Sequence, residues 1–341
     1  MKNTPSLNRR QFIATASSTL AFPYVSRAAN ANGMLQHACV GATNQGGRDL
    51  AAMADHPKFR VVAICDVDLT RLEQAAKKYP DARTYSDWRE LLQTEGDQID
   101  SVNVGTPDHM HAPISLSAMK RGKHVFCEKP LTHKIAEARR MTEVAAEKGV
   151  ITQMGNQIHS HIAYRMGVAW IQQGVIGKVK EVHSWVGAQF PQAPAPKTVD
   201  PIPENLNWDH WIGAAPMRPF NKDIYHPFKW RGWQDFGGGA IGDFGCHIMD
   251  PVFTALKLTA PTEITCIDAE AAWKDSAERF TESWPQHETF EYLFPGTEYT
   301  AGDTLKLTWY DGGKKPPREL APLPEDRISP VVARSLLARK E

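Results

Sequence analysis

Long apolar runs, paired cysteines and any bias of charge are all missing from this 341-residue chain, and each absence removes a class of function. Lys plus Arg number 39 and Asp plus Glu number 39, so the formal net charge is zero and a nucleic-acid partner held by bulk electrostatics is not expected. After the N-terminus no stretch reaches the roughly 18 consecutive apolar residues that a membrane-spanning helix needs. There are five cysteines and no C-x-x-C, which argues against both a disulfide framework and a cysteine-based metal site. Cys39, Cys65, Cys127 and Cys266 sit in or beside strand-like runs and Cys246 lies between Asp243 and His247. All five are expected to be buried thiols acting as small hydrophobes. The length suits two soluble domains.

What is present begins with the N-terminus. Arg9 and Arg10 precede Phe12, a weakly apolar run and then "SRAANAN", in the order of a twin-arginine export signal. Residues 1–31 are therefore read as a signal peptide and set aside, with an exported, periplasmic protein and no membrane attachment expected after its removal.

From His37 onward, short β-branched runs alternate with helical stretches: "HACVGA", "RVVAICD", "IDSVNVG", "KHVFCE" and "VITQMG" are separated by segments such as "LTRLEQAAKKY" and "KIAEARRMTEVAAEKG". That alternation predicts an α/β fold with a doubly wound parallel sheet over about residues 33–155, followed by a second domain over 156–341. Ligands of such sheets bind at the carboxyl ends of the strands. The first strand runs into "GATNQG", a G-x-G-x-x-G spacing with Thr43 at the middle position. Gly41 permits the tight turn, Gly46 the close helix–strand approach, and the amides around Asn44 and Gln45 can hold a pyrophosphate. Asp66 follows Gly46 by twenty residues, at the end of the second strand, where an acid accepts from a ribose 2′-hydroxyl. Together they predict a dinucleotide, NAD before NADP, with Arg71 near enough to keep NADP open.

Two further strand ends carry "VGTPDHMHA" and "HVFCEKPLTHK". Glu128, Lys129 and Pro130 put two opposite charges and a proline at the mouth of a buried strand, and a lysine there can donate to a substrate oxygen. Further on, "GGGAIGDFGCHIMD" places Asp243 and His247 four residues apart, on one face of a helical turn. Metal ligation, proton transfer and a structural polar pair are all compatible with that spacing. The glycines before Asp243 would let the backbone approach a ligand.

The stretches "GATNQG", "AICDVD", "VGTPDHMHAPISLSAMKRGKHVFCEKPL", "GNQIHSHIAYR" and "GGGAIGDFGCHIMD" resemble the Gfo/Idh/MocA family of nicotinamide-dependent oxidoreductases. The likeness runs from about residue 37 to 310 and is most specific between Thr106 and Pro130. It implies a Rossmann domain and a C-terminal α/β domain with an open, mainly antiparallel sheet, acting on sugars, inositols or other polyols. By position it implies that Lys129 contacts the reacting hydroxyl, that His247 is a general acid/base of near-neutral pKa oriented by Asp243, and that Thr106, Pro107, His111 and Glu128 line the cofactor. Proton transfer then stands ahead of a structural pair, with metal last, because Pro251 disturbs the helix and no further His/Glu pair has metal spacing.

The stretch from about 190 to 236 is rich in proline and aromatics, weakly periodic, and long enough to shape a site or an interface. Trp230 and Arg231 within it, with Gln157 and His159 after the last Rossmann strand, are the candidate substrate contacts; packing of the tryptophans onto the core is the competing reading. The chain stops at "SLLARKE", where relatives usually continue, so a short or truncated member is expected, forming homo-oligomers through the C-terminal sheet. Three activities remain open: a sugar or polyol dehydrogenase, an NAD-dependent glycosidase or lyase that retains its cofactor, and a non-catalytic sugar-binding protein.

Overall fold

A computed structural model describes residues 33–192, 194–270 and 282–320. The twin-arginine stretch and the closing "SLLARKE" lie outside the described residues. The first sheet has six parallel strands: β1 (Leu35–Val40), β2 (Phe59–Cys65), β3 (Arg83–Tyr85), β4 (Ser101–Val104), β5 (His124–Glu128) and β6 (Thr152–Gly155). Their spatial order is β3-β2-β1-β4-β5-β6. The order reverses beside β1, so a crevice opens there at the carboxyl edge. Strand β3 is absent from the apolar runs seen in sequence because it has only three residues and none is buried.

Helices α1 (Asn44–Ala54), α2 (Leu69–Lys78), α3 (Trp88–Glu95), α4 (His111–Lys120) and α5 (Ile135–Lys148) cover both faces of this sheet. Asp68 and Asp87 cap α2 and α3, each accepting from the backbone N–H two residues on. One apolar cluster, including Val102, Val125 and Ile114, packs one face; another, built on Leu50, Ile64 and Leu72, packs the other.

The second sheet has the order β7-β10-β9-β8, from β7 (Glu181–Trp185), β8 (Glu263–Glu270), β9 (His287–Pro295) and β10 (Thr304–Tyr310). Only the β10–β7 pair is parallel, so this sheet is mainly antiparallel. Helices α6 (Ile162–Gln172), α8 (Gly239–Ile248) and α9 (Asp250–Leu256) pack beside it, with Val182, Phe294 and Leu307 among the residues between them. The long stretch between β7 and α8 contains α7 (Trp208–Ile212) and has a core of its own, in which Trp208, Trp211, Tyr225, Trp233 and Phe236 are buried. Cys266 departs from expectation: it is exposed, because β8 is an edge strand that no helix covers among the described residues, whereas Cys39, Cys65 and Cys127 are buried and Cys246 partly so.

Candidate active site

A cleft of about 880 Å³ runs along the carboxyl edge of the Rossmann sheet to one face of α8. At one end, Gly41, Thr43, Asn44, Gln45 and Asp66 line it, joined by Thr106 and Pro107 from the loop after β4. Gly46 lies behind the wall: a Cβ there would meet the Gly41 carbonyl oxygen at 2.1 Å, so only hydrogen lets the turn close on the strand. Thr43, in the place of the usual middle glycine, accepts from Arg71 Nη1 at 3.0 Å and so gives α1 no side-chain cap. With no acid in the first turn either, the α1 amides are left for an anionic ligand. The Thr106 hydroxyl is buried in the wall without a partner. Glycine cradle, uncapped helix and orphaned hydroxyl fit a bound dinucleotide. Burial pushes Asp66 up to about 6, against the pull of the Asp68 amide and Arg71.

His111 does not line the cleft. It is buried beneath it, its Nδ1 2.7 Å from the Pro130 carbonyl and its Nε2 2.8 Å from the Thr106 carbonyl. Burial opposes charge on this ring, but the Cys127 sulfur and the two carbonyls hold its pKa above the ordinary value. It therefore ties the two strand-end turns together from beneath the cleft.

The other end of the cleft is built from distant segments. Lys129 Nζ donates to Asp243 Oδ1 at 2.5 Å and to the Asp243 carbonyl at 2.9 Å. An ammonium has three donors, so one is left for a ligand. Arg231 Nε lies 3.5 Å from Asp243 Oδ2, its guanidinium held between the rings of Phe228 and Trp230 at 4.4 and 4.2 Å. Asp243 therefore faces two cations and does not orient His247. That role belongs to Asn156, whose Oδ1 is 2.6 Å from His247 Nδ1. The Asn156 amide nitrogen is committed to the Cys246 carbonyl (2.8 Å) and Asp250 (3.2 Å), so its oxygen must accept and the His247 proton sits on Nδ1. Nε2 remains an open lone pair on a ring that lines the cleft. Burial and then Lys129 push the His247 pKa down to about 4, below the near-neutral value expected, so the ring is a neutral base.

Gln157 and Trp230 line the cleft. Gln157 Nε2 donates to Glu128 Oε1 at 2.6 Å, and the Asp49 carboxyl lies close enough to Glu128 for the two charges to oppose each other. Burial, then the Asp49 carboxylate, raise the Glu128 pKa well above the carboxylate range. His159 is not among the residues that line the cleft; its Nδ1 pairs with Asp250 at 2.7 Å. Among the described residues no group of three His, Cys, Asp or Glu side chains could hold a metal. The glycine run packs on protein rather than ligand: Gly239 has φ +65°, and a Cβ there would meet the Trp284 ring at 2.7 Å.

Four participants, Asn156, Asp108, Phe190 and Phe244, were not predicted from the sequence. Asn156 stood in a quoted stretch, but nothing local marks an asparagine as a partner 91 residues from its histidine. Asp108 lines the cleft fully buried, held by the Gly238 amide at 3.1 Å; burial and then Asp243 push it up to about 7. Phe190 and Phe244 add a stacked aromatic wall, ring centroids 6.4 Å apart. No motif signals them.

Two models of one family match the chain: the NAD-binding Rossmann fold of the Gfo/Idh/MocA oxidoreductases over residues 35–156, and the C-terminal alpha/beta domain of the same oxidoreductases over residues 171–288. The levoglucosan dehydrogenase of Pseudarthrobacter phenanthrenivorans is 25% identical over 195 residues, 57% of this chain and 41% of that protein. The scyllo-inositol 2-dehydrogenase (NAD(+)) of Bacillus subtilis is 34% identical over 122 residues, 36% of this chain and 35% of that protein. The matching part of the chain thus spans less than half the length of either curated relative. The crystal structure of an oxidoreductase domain protein from Kribbella flavida superposes with a TM-score of 0.58 at 25% identity, covering 83% of this chain and 69% of that one. Strand order, glycine turn, E-K-P exit and family matches agree, and the chain belongs to the Gfo/Idh/MocA family of oxidoreductases, with an NAD-binding Rossmann domain followed by the family's C-terminal α/β domain.

Proposed function

We propose that this protein transfers hydride between NAD and a carbinol carbon of a sugar, inositol or related polyol, with Lys129 and His247 handling the hydroxyl proton. The observation that carries the reading is the neutral His247, its proton locked on Nδ1 by Asn156 and its Nε2 open beside Lys129. Bound NAD would supply the hydride acceptor. The pyrophosphate would be held by the α1 amides and the ribose by Asp66. The free N–H of Lys129 would polarise the reacting oxygen while Nε2 takes its proton. Aromatic faces at Trp230, Phe190 and Phe244 suit the apolar face of a sugar ring.

The levoglucosan and inositol dehydrogenase names of the relatives support this substrate class. The exposed edge strand β8, with Ile264 and Ile267 more than half exposed, supports self-association through the second sheet. Export by the twin-arginine route is the reading of the Arg9–Arg10 stretch, and a folded, cofactor-loaded protein suits that route. A second reading is favoured by Asp108: oxidation, cleavage of a glycosidic bond and return of the hydride need a further proton-transfer group, and this carboxyl, titrating near 7 in the cleft wall, is one.

The test starts from folded protein purified without added nucleotide, denatured, with any released cofactor identified by mass spectrometry. NAD(H), or binding of NAD on titration, is expected; a chain that binds neither NAD nor NADP would leave the non-catalytic reading in front. Polyol-dependent reduction of NAD, lost in both Lys129→Ala and His247→Ala, is then the expected activity. Glycoside cleavage without accumulation of NADH would favour the second reading.

A further inference from the structure

The carboxyl edge of the Rossmann sheet is not left open to solvent on its adenosine side. Residues 194–238, from the second half of the chain, lie across it and are attached beyond the ends of three of its strands, β2, β3 and β4. After β2, Asn205 and Asn207 exchange backbone hydrogen bonds with Leu69 (2.8 Å) and Val67 (3.0 Å), so that Leu206 forms an antiparallel bridge with Asp68. The Asp68 carboxylate accepts from Asn205 Nδ2 at 2.9 Å and is 3.1 Å from His226 Nε2. After β3, His210 Nδ1 is 3.3 Å from the Ser86 carbonyl and its Nε2 is 3.7 Å from Asp87. After β4, the His109 amide donates to the Phe236 carbonyl at 3.2 Å.

This strap is stiff, because it carries the aromatic core of Trp208, Trp211, Tyr225 and Trp233, and Val67 of the Rossmann half packs into that core. Its inner side forms part of the cleft: His210, Trp211, His226 and Pro227 line it together with Asp66 and Arg71. Asp66 is the acid that marks the ribose position. Up to Pro227 the strap thus stands over the half of the site where the nicotinamide chemistry does not occur, and only its last part, with Trp230 and Arg231, reaches the chemical end.

We propose that this strap is the outer wall of the adenosine subsite, and that the Asn205 and His226 contacts to Asp68 form a clasp that must open before the dinucleotide leaves. The inference rests on the NAD reading above and adds to it a specific consequence: cofactor release is governed by residues of the second half of the chain, remote from Lys129 and His247. A strap that serves only to hold the two halves together would change stability without changing the lifetime of the complex.

The experiment uses the full chain loaded with NADH and chased with excess NAD, following loss of bound-NADH fluorescence. The double variant Asn205→Ala/His226→Ala is expected to release NADH at least tenfold faster than the parent while its circular dichroism spectrum is unchanged. Release within twofold of the parent would overturn the clasp. Hydrogen exchange provides a second reading that needs no variant. ADP-ribose, which lacks the nicotinamide, is expected to slow exchange of amides in 205–211 and 225–230 at least threefold. Binding of ADP-ribose without such protection would overturn the strap as an adenosine wall. A parent chain that binds neither NADH nor ADP-ribose would instead overturn the NAD reading, and this inference with it.

Discussion

The two ends of the cleft are built in opposite ways. At the dinucleotide end, the residues suited to the phosphates and the ribose are close in sequence. Gly41, Thr43 and Gly46 sit in one turn, and Asp66 ends the adjacent parallel strand. At the chemical end, every working contact is long-range: Lys129 meets Asp243 across 114 positions, Asn156 meets His247 across 91, and Gln157 meets Glu128 across 29. A pyrophosphate needs free amides at the start of a helix, which one strand–turn–helix unit supplies by itself. A hydroxyl losing hydride and proton needs a cation and a base on different sides of one atom, and no single segment can surround an atom.

The contrast makes the chemical end the more fragile under single substitutions. Lys129→Ala or His247→Ala is expected to cost on the order of 10²–10⁴-fold in kcat/KM for polyol oxidation; losses below tenfold in both would remove them from the chemistry. Gly46→Ala tests the local end. Its methyl group would strike the Gly41 carbonyl, and repacking of about 1–3 kcal/mol is expected to weaken NAD binding roughly 10- to 100-fold by titration, with kcat less affected. Unaltered affinity would mean that the turn does not hold the pyrophosphate.

Asn156→Ala is expected to lower kcat/KM by about tenfold, since one hydrogen bond of roughly 1–1.5 kcal/mol that fixes the ring tautomer is lost while the base itself remains. An effect as large as that of His247→Ala would show that Asn156 does more than orient the ring, and none at all would return that role to Asp243.

The last comparison is one of stability and concerns Asp108. Its folded pKa is raised to about 7 whereas the unfolded chain loses this proton near 3.8. Between those values the folded state holds a proton that the unfolded state has given up, so the stability present below pH 4 is lost as pH rises through 7. Asp108→Asn is free of that loss. Its melting temperature relative to the parent is therefore expected to climb from pH 4 to pH 8, and a pH-independent difference would place the carboxyl in a more polar setting than the structure shows.

Much of the Rossmann half was legible because its signals are local. Alternation of strands and helices, the glycine spacing and the acid at the end of β2 each follow from a few neighbouring residues. His111 and His159 show the limit of that legibility. Both lie in motifs of the right kind, yet one is consumed by two backbone carbonyls and the other by Asp250, and the competing hydrogen-bond partners come from segments that sequence spacing does not relate. Trp230 and Arg231 line the cleft, and an aromatic-rich stretch without periodicity has few reasons to exist other than shaping a site or a core; here it does both.

The sequence by itself determined the parallel sheet, the turn that receives a dinucleotide, and a lysine and a histidine suited to proton and hydroxyl chemistry, because backbone geometry and side-chain type are properties of short segments. Only the tertiary structure decided that Asp243 serves Lys129 and Arg231 instead of His247, that Asn156 sets the histidine tautomer, and that the aromatic stretch crosses back over the adenosine edge. A charge or lone pair acquires its role from whatever lies within hydrogen-bond reach, about 3 Å, and only the packing of the two halves brings those partners together.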